Sequence, residues 1–485
     1  MPFNSITFAL FLPIVFGMYW FVFQRNLKIQ NLFIIVASYI FYGWWDWRFL
    51  ILIAFTSFCS WGCGLMLQRI DNKQVSNNIL FRKIISASNI VLNLMVLGIF
   101  KYFNFFVDSF ITAFSSFGVH LQPNTLYIIL PVGISFYTFQ ALSYSIDVYR
   151  RKIEPTNDII AFFAYISFFP LLVAGPIERA TKLLPQFFVK RTFDYKKATD
   201  GMRQILWGLF KKIVVADNCA TYVNYVFENY STLSGSTLLL GVIFFTFQIY
   251  SDFSGYSDIA IGTARLFGFN AMRNFAYPLF SRDVAEFWRR WHISQTTWFR
   301  DYVYIPLGGS RGTKAIIIRN TFIIFLLSGL WHGANWTFIA WGAVNAILFL
   351  PLILSQKNRK YTNIVAEGKI LPNIKEVIQM CGTFLLVTLT RVFFRAESIN
   401  QAYHYFCGIF SKTVFAIPYF EINYLYPLIF VFMMLIIEWI QRNKQHGLDL
   451  SEIKSLFLRF IIYYFLIGIL FVFGGVAETF IYFQF

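Results

Sequence analysis

Apolar residues run along this chain in blocks close to bilayer length, with short polar segments between them. A helix needs about 20 apolar residues to cross a hydrocarbon core, and the clearest blocks are Phe3–Phe23, Leu32–Trp45, Phe49–Leu67, Ile90–Phe114 and Leu126–Val148. Others lie near Ile205–Phe227, Leu238–Tyr250, Ile316–Leu330, Asn335–Leu354, Ile378–Phe394, Tyr424–Ile440 and Leu456–Phe473. Several are short for a full span, so the pattern predicts about eleven transmembrane helices in an all-α, polytopic membrane protein. Met1–Phe23 has no Lys or Arg ahead of its apolar stretch and no small-residue cleavage site, so it reads as the first of these helices and not as a secretory signal.

The polar segments carry the topology. Arg25 and Lys28 follow the first helix, and Trp44-Trp45-Asp46-Trp47 follows the second without a cation before Arg48. Arg69, Lys73, Arg82 and Lys83 follow the third, an uncharged loop from Ser115 to Thr125 the fourth, and Arg150, Arg151 and Lys152 the fifth. Cytoplasmic loops are enriched in Lys and Arg, so the alternation places the N-terminus outside. Thr156–Leu184 breaks the rhythm: its apolar part, Ile159–Ala174, ends in Ala174-Gly175-Pro176 and has cations on both sides. A re-entrant hairpin fits, tolerated where it is buried in protein or lines a wet cavity.

Composition agrees with this reading. Of 485 residues 57% are hydrophobic and 13% charged, against roughly 25% charged in soluble domains, which is too few to cover a water-facing surface. With 61 Phe, 27 Tyr and 13 Trp, disorder is excluded. Much of the net charge of +17 is accounted for by these loop cations, with no need to invoke nucleic acid. Arg179, Lys182, Lys190, Arg191, Lys196, Lys197, Arg203, Lys211 and Lys212 form a basic segment; it reads as ordinary cytoplasmic loop or as a landing site for a phosphorylated ligand. The cysteines (Cys59, Cys63, Cys219, Cys381, Cys407) lack zinc-ligand spacing, and no metal site is expected. No repeat or linker divides the chain, so residues 1–485 read as a single integral membrane domain.

Common soluble-enzyme signatures fail. There is no P-loop, and Gly308-Gly309-Ser310-Arg311-Gly312 imitates a nucleophile elbow outside the strand-to-helix turn that such a motif needs, so it reads as a glycine-rich turn. None of His120, His292, His332, His404 and His446 has Asp five residues on, which excludes the His-Asp pairing of soluble-type lipid acyltransferases. His120 and His446 fall in loops where surface roles suffice, and His404 in an amphipathic segment.

His332 lies in Ser328-Gly329-Leu330-Trp331-His332-Gly333-Ala334-Asn335-Trp336 between strongly apolar runs. An ionisable group at membrane depth is a candidate for function, and apolar burial keeps imidazole neutral, as a general base requires. Gly329 and Gly333 either leave room for a substrate chain or form a small-residue helix-packing motif. His292 ends Arg282-Asp283-Val284-Ala285-Glu286-Phe287-Trp288-Arg289-Arg290-Trp291-His292, where Glu286 faces Arg282, Arg289 and Arg290 at helical spacing. Such a segment cannot face lipid, and His292 is a structural partner or a site residue. Gln248–Asp258 is a second polar interruption, either lining an internal cavity or acting as a hinge.

The chain resembles the membrane-bound O-acyltransferases, specifically the bacterial branch of the alginate O-acetyltransferase membrane subunit. The similarity is carried by Met1-Pro2-Phe3-Asn4-Ser5, Pro131-Val132-Gly133-Ile134-Ser135-Phe136-Tyr137, Ala174-Gly175-Pro176-Ile177 and Tyr250–Asp258, and most specifically by Phe287-Trp288-Arg289-Arg290-Trp291-His292, Tyr304-Ile305-Pro306-Leu307-Gly308-Gly309 and Leu330-Trp331-His332-Gly333. The resemblance implies a funnel-shaped helical bundle with a central tunnel. It also implies that His332 assists deprotonation of the acceptor hydroxyl while His292 orients or stabilises the site. Cytosolic acetyl-CoA is the implied donor, an exported or cell-wall polysaccharide the acceptor, and an extracytoplasmic SGNH-type protein the partner, in the bacterial inner membrane. Transfer of another acyl group, such as D-alanine to teichoic acid, is the alternative within the family, and a transporter or flippase the alternative outside it.

Overall fold

A computed structural model describes residues 1–73, 78–119, 121 and 128–483. His120 and residues 122–125 of the uncharged loop lie outside the described residues. Everything regular among the described residues is helical. Seven helical stretches there are long and apolar enough to cross a membrane, and Ile6–Val22 and Leu456–Val472 are shorter apolar helices. Two of the seven, Leu27–Asn72 and Asn78–Ser116, contain more than one α-helix each. The chain divides into two compact units, Met1–Ala198 with Ala264–Ala271, and Thr199–Thr263 with Met272–Phe485.

The first unit contains α1 (Ile6–Gly17), α2 (Leu27–Asp46), α3 (Leu50–Lys73), α4 (Asn78–Leu97), α5 (Phe103–Ser116), α6 (Ile134–Tyr149), α7 (Ile159–Ser167), α8 (Phe169–Leu172) and α9 (Ala180–Leu183). Ser5 and Asn26 cap α1 and α2 by accepting backbone N–H groups that have no partner within the helix. Gly133 opens α6 at φ +73, and a Cβ there would lie 2.8 Å from the Leu172 carbonyl, so both its conformation and its space demand glycine. The stretch expected to be re-entrant is the broken run α7–α8–α9, each piece too short to span, with Phe162, Leu171 and Ala174 almost fully buried. Arg191 is also buried, its guanidinium satisfied by Gln30 Oε1 (3.0 Å) and Asn31 Oδ1 (2.6 Å).

The second unit contains α10 (Tyr195–Leu209) from Thr199 onward, which continues through a π-helical turn, Phe210–Ala216, into α11 (Asp217–Glu228), then α12 (Gly235–Leu266) as far as Thr263, α13 (Val284–Arg290), α14 (Ile293–Phe299), α15 (Lys314–His332) and α16 (Trp336–Leu354). It closes with α17 (Ile374–Arg395), α18 (Ile399–Ile409), α19 (Leu425–Ile440) and α20 (Leu456–Val472). A capping box, Asn373 with Glu376, starts α17.

Three sequence expectations change here. Gln248–Asp258 is no hinge, because α12 runs through it unbroken. Lys211 and Lys212 are not part of an exposed basic face: both are buried. Lys211 pairs with Asp258 (2.6 Å), while Lys212 pairs with Asp217 (2.7 Å) and Asp252 (2.8 Å). Polar residues of α12 thus find their charges inside the protein, as groups at membrane depth must. His446 is also no surface residue; it is buried, with Nε2 3.0 Å from Asp200 Oδ1.

Candidate functional site

His292 and His332 come together in the second unit. Trp331 lies between them, its ring centroid 5.5 Å from His292 and 5.0 Å from His332. Tyr482 closes the same space, 6.4 Å from the one imidazole and 5.6 Å from the other. Both histidines are at most 2% exposed. Phe253, Trp341 and Phe394 complete an aromatic enclosure, each within 4.6 to 5.3 Å of one of the two rings.

His332 is the last residue of α15, where the helix stops at Gly333. The neighbouring glycines do not open a substrate channel. A Cβ on Gly329 would run into the Phe338 carbonyl, and one on Gly333 into the Phe338 ring. Both glycines exist so that α15 and α16 pack closely, the small-residue role. That packing presses Trp341 of α16 edge-on against the imidazole of His332. His332 Nδ1 meets Tyr482 Oη at 3.1 Å.

His292 sits between two short helices. Asp283 caps α13 by accepting from the Glu286 N–H, and Glu286 then binds Arg282 (3.0 Å) and Arg290 (2.9 Å). Arg289 departs from the expected pairing and donates to the carbonyls of Asn358 and Tyr361. After Trp291 the chain turns at His292 with φ 41° and ψ 55°, a left-handed conformation that is uncommon for a residue with a side chain. The turn is held by the Ile293 N–H, which donates to the Asn274 carbonyl at 2.8 Å.

Asn274 also sets the tautomer of His292. Its Oδ1 faces the Ser294 N–H (3.3 Å), the Ser294 hydroxyl (2.9 Å) and His292 Nδ1 (3.0 Å), while its Nδ2 donates to Ser257 Oγ at 3.0 Å. A backbone N–H can only donate, so the atom it meets is oxygen, and Nδ1 facing that oxygen carries the proton. The lone pair therefore lies on Nε2, which is buried without a hydrogen-bond partner among the described residues. Burial lowers the His292 pKa to about 3, so the ring is a neutral acceptor awaiting a donor. A ligand hydroxyl is the natural one.

Tyr482 reaches His332 because the C-terminal segment threads back into the unit. Asp252 Oδ2 accepts the Ile481 N–H at 2.7 Å, Lys212 Nζ donates to the Glu478 carbonyl at 2.9 Å, and Phe480 stacks on Tyr256 at 4.1 Å. Burial raises the pKa of the Tyr482 phenol, and the charge of Arg391 acts in the opposite direction. Neither Tyr482 nor Asn274 is singled out by the sequence; the one available signal was the set of acids in α12, whose partners had to lie inside. Asn274 also lines a polar cavity of about 10 Å³ with Lys211, Asp258, Glu438 and His446. Gly308–Gly312 is a turn with positive φ at all three glycines and an exposed Ser310, as the glycine-rich reading requires. His404 is exposed on α18.

The sequence model of the membrane-bound O-acyltransferase family matches residues 90–394, a span that includes both histidines. The chain is 42% identical over 413 residues to the Pseudomonas aeruginosa protein named "probable alginate O-acetylase AlgI", covering 85% of this chain and 75% of that one. It is 29% identical to a peptidoglycan O-acetyltransferase of Helicobacter pylori over 100% of this chain and 97% of the other. Likeness to a teichoic acid D-alanyltransferase of Bacillus subtilis, 27% identical, covers 50% of this chain and 63% of that one.

Proposed function

Because this chain belongs to the membrane-bound O-acyltransferase family, we propose that the enclosed histidine pair is the place where an acyl group is transferred. The chain is a multi-pass membrane O-acetyltransferase acting on a cell-surface polysaccharide. The relatives named for O-acetylation align over most or all of it, whereas likeness to the D-alanyltransferase covers half.

The observation that carries the site reading is the convergence of His292 and His332 on one aromatic enclosure. In this reading His332 removes the proton from the acceptor hydroxyl as its oxygen attacks the acyl carbonyl, and Tyr482 orients the ring. His292, with Nδ1–H held by Asn274, presents Nε2 to a hydroxyl and fixes its position. The aromatic walls exclude water, which would otherwise compete as acceptor and hydrolyse the donor. The donor is acetyl-CoA from the cytosol, a reading supported by the exposed Lys182, Lys190, Lys196 and Lys197 of the basic segment. The acceptor side is served by an extracytoplasmic SGNH-type partner, with the protein in the bacterial inner membrane and its N-terminus outside, as the alternation of loop cations supports.

The test is His332→Ala at matched protein level, with glycan O-acetyl esters quantified by mass spectrometry. A positioned general base contributes about 10² to 10⁴-fold, and a loss of that size is expected. Undiminished acetylation would remove His332 from the chemistry, and D-alanyl esters in place of acetyl esters would reassign the acyl group. Labelled acetyl-CoA offered to proteoliposomes separates transferase from flippase, since a flippase leaves the thioester intact.

A further inference from the structure

Arg391 of α17 is a cation kept inside the fold without an acid. It is 1% exposed, it forms no ion pair among the described residues, and its Nε has no hydrogen-bond partner there. Other buried cations of this unit are matched: Lys211 with Asp258, Lys212 with Asp217 and Asp252, Arg282 with Glu286. What Arg391 has instead is aromatic surface, with its guanidinium carbon 4.4 Å from the Trp291 ring centroid and 5.7 Å from that of Phe394. Cation–π contact compensates only part of the hydration lost by a buried guanidinium. The guanidinium therefore has no acid within ion-pair distance among the described residues.

Its position is not arbitrary. Trp291 adjoins His292 in sequence, Phe394 packs against His332 at 5.3 Å, and the charge of Arg391 is felt by Tyr482, whose hydroxyl is 3.1 Å from His332 Nδ1. The unmatched charge thus borders the enclosure that holds both imidazoles. An anion that arises only during the reaction would leave this pattern: a cation with no resident partner, poised beside the reacting groups.

We propose that Arg391 is a catalytic residue of this transferase, its guanidinium donating to the oxyanion that forms on the acyl carbonyl. The proposal rests on the histidine pair being the transfer site. The hydroxyl oxygen of the acceptor forms a bond to the acyl carbon while His332 takes its proton, and the carbonyl π pair moves onto oxygen, giving the anion that Arg391 meets. The pair returns, the carbon–sulfur bond breaks, and the departing thiolate recovers the proton from His332, leaving one ester and one thiol. A planar guanidinium can aim two N–H groups at one oxygen, which a lysine cannot.

The experiment compares full-length wild type, Arg391→Met, Arg391→Lys and His332→Ala in cells, scoring the rate of glycan O-acetylation per membrane-inserted protein and the melting temperature of each purified protein in detergent. Removing one oxyanion donor costs about 10² to 10³-fold, so Arg391→Met is expected to lose that much and Arg391→Lys to recover part of it. Met fills the space over Trp291 and removes an uncompensated charge, so its melting temperature is expected to equal or exceed that of wild type. Acetylation by Arg391→Met within threefold of wild type overturns the proposal. So does a lowered melting temperature with activity lost only in proportion to folded protein, which would make Arg391 structural. If Arg391→Met fails to insert, Arg391→Lys decides: a tenfold or greater loss at unchanged melting temperature supports the role, and an unchanged rate overturns it. Undiminished acetylation in His332→Ala sinks the site reading itself, whereas loss there beside an active Arg391→Met sinks only the oxyanion role.

Discussion

Asp252 lies on the middle of α12, yet it governs whether Tyr482 reaches His332, and Asp252→Ala isolates that link. The Ile481 N–H, in a residue 4% exposed, loses an acceptor at 2.7 Å; leaving a buried donor unsatisfied costs about 1–3 kcal/mol. Lys212 keeps Asp217 at 2.7 Å and the Glu478 carbonyl at 2.9 Å, so the roughly 3–5 kcal/mol of a fully orphaned buried charge does not apply. Docking of the C-terminal segment should weaken by about 1–3 kcal/mol, roughly 5- to 150-fold in its equilibrium. Hydrogen exchange of the peptide spanning residues 478–483 reads this directly, since opening of that segment exposes the Ile481 amide. Asp252→Asn retains an oxygen for the amide and should exchange more slowly than Asp252→Ala. Tyr482→Phe is the control for function: acetylation should fall at least about tenfold with the segment still docked, because only the hydroxyl that orients His332 is lost. If Asp252→Ala leaves both exchange and acetylation as in wild type, the account of how the site is assembled is wrong.

Two further outcomes are expected. Gly342→Ala places a Cβ against the Phe325 carbonyl, and backbone cannot yield as a side-chain tip can, so the α15–α16 hairpin should lose at least about 1–3 kcal/mol; an unchanged melting temperature in detergent would refute the packing argument. His292, with its pKa lowered to about 3 by burial, refuses a proton that the unfolded chain accepts near pH 6.5. The stability of the folded protein should therefore fall as pH drops from about 6.5 toward 3, by roughly 1.4 kcal/mol per pH unit. Denaturation of His292→Gln across that range should show a flatter profile, and parallel profiles for the two proteins would remove His292 as the source.

The long apolar blocks become helices because a segment without charge at membrane depth has one stable way to pair its backbone, and that can be seen one segment at a time. The same holds for His332, an ionisable group in sequence too apolar for it, whereas His292 follows the charged segment Arg282–Arg290 and is marked by the motif it ends. The cations of the basic segment were harder, because Lys196 and Lys211 look alike in sequence and differ only in what faces them. Lys196 is exposed, while Lys211 is buried against Asp258. His446 reads as a surface loop residue in sequence for the same reason, since its partner Asp200 is 246 residues away. Gly329 and Gly333 allowed either room or packing, and the Phe338 side chain and carbonyl decided for packing.

By itself the sequence determined a polytopic all-α membrane protein, its family, and two histidines worth attention, because each of these depends on hydropathy or on short contiguous motifs. The tertiary structure alone decided that the two imidazoles share one enclosure, that Asn274 assigns the proton of His292, that the C-terminal segment delivers Tyr482 to His332, and that Arg391 is left without an acid beside them. Each of those facts joins residues distant in the chain. Burial makes such pairings energetically decisive, since a buried polar group must find its partner wherever the fold places one.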